Sequence, residues 1–184
     1  NQFNLSEDQA MHVADTVEKL SSEIALDFSK GCDTISQSIT TSGSVVNEAG
    51  MSFEKYAALV STTAEKTRVS GSQIGNAFKT IFSRISRSKD GLTTDAEMSD
   101  AEAALKSVGV SVRGADGDLR DISDTLDNLN EVWGTLNHSQ RSYVAEMAAG
   151  VRQKNIFEAA MDSYNKALQL EQDALNSDGT AMKI

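Results

Sequence analysis

The feature that most constrains this chain is the absence of proline from its 184 residues. Average usage would give about nine prolines in this length. Proline interrupts a helix because it removes a backbone hydrogen bond and clashes with the preceding turn. Aromatic residues make up only 5% of the chain, so a core must rest on aliphatic residues and Met. Together these features predict a mainly α protein, a multi-helix domain with long amphipathic helices.

Apolar residues recur at steps of three and four through most of the chain, which is the period of an amphipathic helix. In the first half this period predicts helices over about 6–28, 33–49, 52–64 and 70–89. Gly31 and Gly43 are candidate breaks. Ser52 is a candidate start, and either Ser70 or Ser72 is another. The strongest stripe lies in the fourth segment and consists of Ile74, Ala77, Phe78, Ile81, Phe82 and Ile85.

The second half predicts shorter elements. We expect a short acidic helix over about 95–107, a helix from about 121 to 136, another that starts at Asn137 or Ser139, and a last helix over about 152–176. Between the first two, valines alternate near an Asp-Gly pair, which favours either a small β-hairpin or an extended arm near 108–120. A heptad seam follows, made of Ile122, Leu126, Leu129, Trp133 and Leu136.

The clearest internal boundary lies near residue 50, where a Ser/Thr-rich stretch is followed by shorter elements with clearer start and stop signals. It predicts a helical arm or N-terminal helices over 1–50 and a compact helical core domain over 51–184. The chain begins without a start Met or a signal region, so we expect an excised fragment, with a processed terminus as the open alternative. The single cysteine, Cys32, allows no internal disulfide.

The charge distribution is uneven. The net charge of −10 argues against general nucleic-acid binding. Residues 66–89 hold six cations and no acid, whereas 95–131 hold ten acids against three cations. The basic helix either docks on an acidic partner or DNA, or packs beside the acidic segment of its own domain. The second interpretation is favoured because charges in a small domain tend to be neutralised locally.

The sequence offers no set of catalytic, cofactor-binding or metal-binding residues. His12, His138 and Cys32 are isolated from one another. The chain has no Gly-x-Ser-x-Gly motif, no phosphate loop and no dinucleotide fingerprint, so we expect a protein that is not an enzyme.

Two further candidates have a structural explanation. Asp116, Asp118 and Asp121 resemble an EF-hand loop, but the required Gly and closing Glu do not follow, which favours a solvated turn. Trp133 lies on the apolar seam, which favours core packing over ligand stacking.

Three sequence blocks follow one another along the chain. The first is 69–85 (VSGSQIGNAFKTIFSRI), and the second is 105–112 (LKSVGVSV) followed by 117–122 (GDLRDI). The third runs from 133–136 (WGTL) through Gln140-Arg141 to 148–153 (AAGVRQ). In this order the blocks resemble the core region of phage tail tape measure proteins. Phe157 and 177–181 (SDGTA) fit the continuation, so the resemblance covers about 52–181.

The resemblance implies a structural protein of a phage tail, of phage or prophage origin, that sets tail length while the tube assembles around it. It implies synthesis in the host bacterial cytoplasm and a final place in the tail tube lumen of the virion. Expected partners are further copies of the chain and the tail tube, tail-tip and tail assembly chaperone proteins, without sequence-specific nucleic-acid binding. We expect the apolar seams of the first helix and of the Trp133 helix to provide partner faces.

A membrane-active module that aids DNA ejection into the host is the alternative function, with membrane contact only at infection. The mean hydropathy of −0.34 and the absence of any apolar run of 18 residues argue against it.

Overall fold

The structure is a computed structural model that describes residues 7–86 and 98–176, and this part folds into helices without a named β-strand. The mainly α prediction is therefore confirmed. The helices are α1 (Glu7–Glu23), α2 (Phe28–Glu48), α3 (Phe53–Thr67), α4 (Gly71–Ile85), α5 (Asp100–Ser107), α6 (Ile122–Trp133), α7 (His138–Ala149), α8 (Lys154–Asp162) and α9 (Tyr164–Leu175).

Three helix starts follow from local capping chemistry. The Ser52 side chain accepts a hydrogen bond from the backbone N–H of Lys55 and begins α3. Ser70 forms a capping box with Gln73 at α4, so the helix starts there and not at Ser72. Asn137 forms a second capping box, with Gln140, at α7. Such caps satisfy backbone donors that the first helical turn leaves free. Because the residues involved lie within one turn of each other, these starts can be predicted from the sequence.

The core is organised around α3, which is buried along most of its length and packs against α1, α2, α4, α8 and α9. A helix that is buried on all sides occupies the centre of a bundle. Its Tyr56 ring meets Phe78 of α4 edge to face at 5.6 Å between centroids. The predicted α4 stripe is confirmed, since each of its residues is at most 2% exposed.

The predicted break at Gly31, between the first two segments, and the one at Gly43, within the second, are wrong, because α2 runs without interruption through both glycines. Gly31 instead permits close approach of α1 and α2. A Cβ added at this position would lie 2.9 Å from the Cβ of Ser21. Neighbours that lie this close leave no room for a side chain.

The predicted last helix is divided in two at Ser163. Its φ of −109° and ψ of 11° leave the helical region, and its N–H donates to the Ala159 carbonyl oxygen. The division lets α8 pack against α7 while α9 packs along α3. A local pattern does not reveal this change of neighbour.

The apolar seam of α6 is internal, so the prediction that it is a partner face is wrong, whereas the seam of the first helix is only partly covered and its role as a partner face stays a prediction. In α6 the seam residues Ile122, Leu126, Leu129 and Trp133 are at most 4% exposed, and the helix ends before Leu136. On the first segment Leu20 and Ile24 are buried, although Ala10 and Phe28 are exposed. These seams hold the domain together.

The 108–120 stretch is a loop with one antiparallel bridge, between Arg113 and Leu119. The Gly114 N–H donates to the Asp118 carbonyl oxygen at 2.9 Å, which closes the turn. The chain thus doubles back here without forming strands, as a short isolated hairpin would be marginal.

The predicted features at 87–97 and 177–181 lie outside the described residues. The boundary predicted near residue 50 falls at the turn between α2 and α3, where Gly50 has a φ of 88°. Across that boundary α2 packs against both α3 and α4. The division into an arm over 1–50 and a core over 51–184 stays a prediction.

Candidate functional site

The isolated histidines and the cysteine remain apart in the structure. His12 of α1 lies 3.0 Å from the Glu54 carboxylate of α3, measured from Nε2 to Oε1. His138 is exposed at the start of α7, and Cys32 is half-buried on α2. Within 7–86 and 98–176, no three His, Cys, Asp or Glu residues are grouped so that they could hold a metal ion.

The three aspartates of the candidate cation loop form a turn and a helix start. The Asp116 carboxylate accepts a 3.1 Å hydrogen bond from the Asp118 N–H. Asp121 occupies the N-cap position of α6. A carboxylate that accepts from the backbone two residues later forms a common turn, and acids suit helix starts. The arrangement is that of a solvent-exposed turn.

Trp133 is a core residue that joins α6 to α8. It is 4% exposed, and its ring meets Phe157 edge to face at 6.0 Å. The indole Nε1 donates a 2.8 Å hydrogen bond to Asp162. Arg141 covers another side, with its guanidinium 5.7 Å from the ring centroid. These neighbours occupy the surfaces that a stacked ligand would need.

A polar cluster ties α3 to α6 and α9. Lys55, whose side chain is 7% exposed, donates to Ser123 at 2.6 Å and to Asp127 at 2.7 Å. The Tyr164 hydroxyl donates to the same Asp127 oxygen at 2.6 Å. The Lys55 ammonium also lies 5.7 Å from the Tyr164 ring centroid. A buried cation needs such partners, because leaving it unpaired would be costly.

The ionisation of this cluster favours a structural role. Burial and the hydrogen bond to Asp127 raise the pKa of Tyr164, so the phenol stays protonated at neutral pH. Burial also raises the pKa of the nearby Glu171, against the opposing attraction of Lys55. Sequence reasoning missed the role of Lys55. The available signal was a cation in the first turn of a helix that continues with the apolar run from Tyr56 to Val60.

A groove lined by polar and basic side chains runs along the exposed side of α4. We call it the basic groove; its volume is about 740 Å³, and it is lined by Asn76, Lys79, Thr80, Ser83, Arg84 and Gln153. None of these residues is acidic. Arg84 also donates to the Met147 carbonyl oxygen at 3.3 Å, which places its guanidinium against the end of α7. Cations there suit the helix dipole.

The basic and acidic segments touch without ion pairing in the part that the structure describes. Ser99, just before α5, donates to the Arg84 carbonyl oxygen. Lys66 lies 3.8 Å from Asp162, outside the acidic segment, and Arg68 donates to the Ala25 carbonyl oxygen. Lys79 forms no ion pair with any described residue. The basic helix packs beside the acidic segment, as the sequence favoured, but Lys79 stays without an acidic partner among the described residues.

Five exposed acids lie along the 108–120 loop and one side of α6. We call them the acidic ridge; they are Asp116, Asp118, Asp121, Asp124 and Glu131. Over the described ranges none of them forms an ion pair. Ser83 lines both the basic groove and a neighbouring cleft that contains Asp121. The two charged surfaces therefore adjoin along α4.

No helix in the described ranges combines the length and apolar character needed to cross a membrane.

Comparison with known proteins identifies relatives of the chain. The family model described as "Phage-related minor tail protein" matches residues 1–150. The chain is also similar to a protein of Escherichia phage P2 named "Probable tape measure protein", with 28% identity over 127 residues. That match covers 69% of this chain but only 14% of the relative. No solved structure matches the chain.

Proposed function

This chain belongs to the phage-related minor tail protein family, and from that membership we propose that it is part of a tape measure that sets tail length and templates tail-tube assembly. The observation that carries the proposal is the family match over residues 1–150, together with similarity to a phage P2 protein named as a tape measure. The order of the three sequence blocks, each resembling that family, supports the same function.

The fold supports a compact domain within a longer ruler protein. The longest helix in the described part, α2, has 21 residues, and a helix rises about 1.5 Å per residue. It therefore spans only about 32 Å, and its neighbours fold back against it. The chain spans 14% of the length of the phage P2 relative, which leaves the extended ruler stretch to other parts of such a protein.

The proposal includes a place and partners. The chain acts in the tail tube lumen of the virion, as a structural component and not as an enzyme. Its partners are further copies of itself and the tail tube, tail-tip and tail assembly chaperone proteins. The family match supports association with other tail components. The membrane-active alternative is not favoured, because a mean hydropathy of −0.34 and a net charge of −10 oppose insertion.

An in-frame deletion of residues 52–181 from the parent gene, followed by electron microscopy of the particles, tests the proposal. Absent or abnormally sized tails support it. If the segment acts as extended helical ruler, the 130 deleted residues shorten the tail by about 195 Å. If it acts as a compact assembly domain, tails are lost. Normal tails of unchanged length contradict the proposal. The single substitution Gly134→Ala is the control that leaves assembly unchanged.

A further inference from the structure

The basic groove gathers positive charge on a strongly acidic chain. Lys79 is exposed on α4 and has no ion-pair partner among the residues that the structure describes. Arg84 is also exposed and forms no ion pair in that part of the chain, although it donates to the Met147 carbonyl oxygen. The other lining side chains are amides and hydroxyls. Cations with such neighbours and no carboxylate match an anionic occupant, which pairs with the charges and accepts hydrogen bonds.

The occupant has to donate hydrogen bonds as well as carry negative charge. Gln153 lines the groove, and its Oε1 atom is buried with no hydrogen-bond partner in the described part. Buried acceptors are normally paired, so a donor is missing at this oxygen. The last torsion of a glutamine side chain is broad, so the amide can turn Oε1 toward the groove at low cost. An ionised carboxylate cannot donate to this oxygen, whereas a backbone N–H group can.

The length of the groove matches a short extended segment. Its α4 side runs from Asn76 to Arg84, which is about 12 Å at the rise of a helix. An extended chain rises about 3.3 Å per residue, so about four residues cross that length. Lys79 and Arg84 lie about 7.5 Å apart along the helix axis, and alternate residues of an extended chain are about 6.6 Å apart. Acids at alternate positions of such a segment can therefore reach both cations.

We propose that the basic groove binds an extended acidic segment of another protein, whose carboxylates pair with Lys79 and Arg84 and whose backbone N–H donates to Gln153. The proposal rests on the function proposed above, in which the chain meets other tail components, and adds the surface and the chemistry of one contact. DNA fits less well, because its phosphates offer no donor to Gln153 and the net charge of −10 repels a long polyanion.

Fluorescence anisotropy of a labelled peptide tests the proposal on the 184-residue chain. The acidic probe is a peptide of about ten residues that alternates Asp and Ser, so that its carboxylates occupy alternate positions. The neutral reference has Asn in place of each Asp. At about 20 mM salt we expect the acidic probe to bind at least about tenfold more tightly than the reference. Its affinity should fall as salt rises, because charge pairing dominates the contact.

Two substitutions with the same change of charge separate the groove from the rest of the surface. Lys79→Glu reverses a charge inside the groove and should weaken the acidic probe at least about tenfold, because like charges now face each other. Lys30→Glu reverses an exposed charge on α2, outside the groove, and should leave the affinity within about twofold. Circular dichroism confirms that both variants are folded.

Gln153→Leu tests the missing donor with two readouts. Removing a buried oxygen that has no partner should raise the urea midpoint of the free chain. The same substitution should weaken the acidic probe severalfold, because the probe N–H loses its acceptor. A residue with a merely structural role does not combine higher stability with lower affinity. An unchanged affinity contradicts the assignment of a polypeptide to the groove.

Several other results overturn the proposal. Absence of binding at low salt, or equal binding of the acidic and neutral peptides, shows that the groove does not select acids. Equal losses in Lys79→Glu and Lys30→Glu show that binding follows the overall charge. A DNA duplex that binds more tightly than the acidic probe, and that Lys79→Glu releases, assigns the groove to nucleic acid. These assays do not depend on tail phenotype, so this proposal and the proposed function fail separately.

Discussion

The Ser38 hydroxyl donates a 2.6 Å hydrogen bond to the carbonyl oxygen of Gly71, across the contact between α2 and α4. Ser38 is fully buried, and Gly71 begins α4. A Cβ added at Gly71 would lie 2.2 Å from the Thr34 carbonyl oxygen, so only glycine fits this approach. The contact connects residues before and after position 50, and it fixes α4 and its basic groove on the body of the domain.

Gly71→Ala should destabilise the domain by about 1 to 3 kcal/mol, the usual cost of overpacking a tight contact. The added methyl must displace backbone atoms of α2, which cannot move without disturbing Ser38 and the neighbouring turn. Urea unfolding monitored by circular dichroism measures the loss of stability.

Gly134→Ala is the matched control. Gly134 has a φ of −65° and no neighbour within 4 Å of an added Cβ. Alanine is therefore accommodated, and the smaller entropy of the unfolded chain should stabilise the protein by about 0.4 to 1 kcal/mol. Equal destabilisation by both substitutions would contradict the steric explanation at Gly71.

Features that depend on nearby residues could be predicted from the sequence. The starts at Ser52, Ser70 and Asn137 follow from caps that act within one helical turn. The α4 stripe follows from spacing alone. The mainly α fold follows from the absence of proline and the helical period. In each case the deciding interactions lie within a few residues of one another.

Features that depend on distant neighbours could not be predicted. Gly31 resembles a break in the sequence but is a point of close approach to Ser21. Ser163 divides a continuous helical pattern: both α8 and α9 contact α3, but α8 also packs against α7 whereas α9 packs against α1. The seam of α6 resembles a coiled-coil face, yet Trp133 meets Phe157 inside the domain. A period shows that a face is apolar and does not show what covers it.

The candidate interaction surface was predictable only in part. The charge asymmetry between 66–89 and 95–131 is visible in the sequence. The groove itself is not, because Gln153 joins residues of α4 that lie some 70 positions earlier. The same holds for Lys55, whose partners Ser123 and Asp127 are 68 and 72 positions away.

Lys55→Met should destabilise the protein by about 2 kcal/mol. The substitution removes hydrogen bonds to Ser123 and Asp127, and bonds to charged groups contribute about 1.5 to 3 kcal/mol. Asp127 is 41% exposed, so water can partly solvate its carboxylate, which keeps the loss below that of a fully buried pair. Urea unfolding at neutral pH measures the change.

Lys30→Met is the control for Lys55→Met. Lys30 is exposed on α2, so its substitution should change stability by less than about 0.5 kcal/mol. The role assigned to Lys55 is wrong if both variants unfold at the same urea concentration.

Glu171→Gln should stabilise the protein at neutral pH and not in acid. Burial raises the pKa of Glu171 above its ordinary 4.5, so folding favours the protonated form. A raised folded-state pKa contributes stability below about pH 4.5, and this contribution is lost as pH rises through the raised value. Glutamine mimics the protonated form at every pH. The gain should therefore appear above that window and vanish near pH 4.

Glu171→Gln should raise the free energy of unfolding at neutral pH by less than about 1 kcal/mol, because the side chain is only half-buried and solvent screens its charge. Glu158→Gln on α8, a half-buried acid outside the cluster, is the matched control for the loss of a carboxylate. A gain that is the same at pH 4 and pH 7 would show that the carboxylate charge is not its cause.

Asp162→Ala should destabilise the domain by about 1 to 2 kcal/mol, because the buried Trp133 Nε1 loses its acceptor at 2.8 Å. Asp162→Asn separates this effect from charge, since it keeps a carbonyl oxygen for the indole but removes the weak pairing with Lys66 at 3.8 Å. We expect Asp162→Asn to lose less than about 1 kcal/mol. Trp133 is the single tryptophan of the chain, so its fluorescence reports unfolding directly. If Asp162→Ala and Asp162→Asn lose equal stability, Asp162 stabilises the domain through its charge and not through the hydrogen bond from the indole.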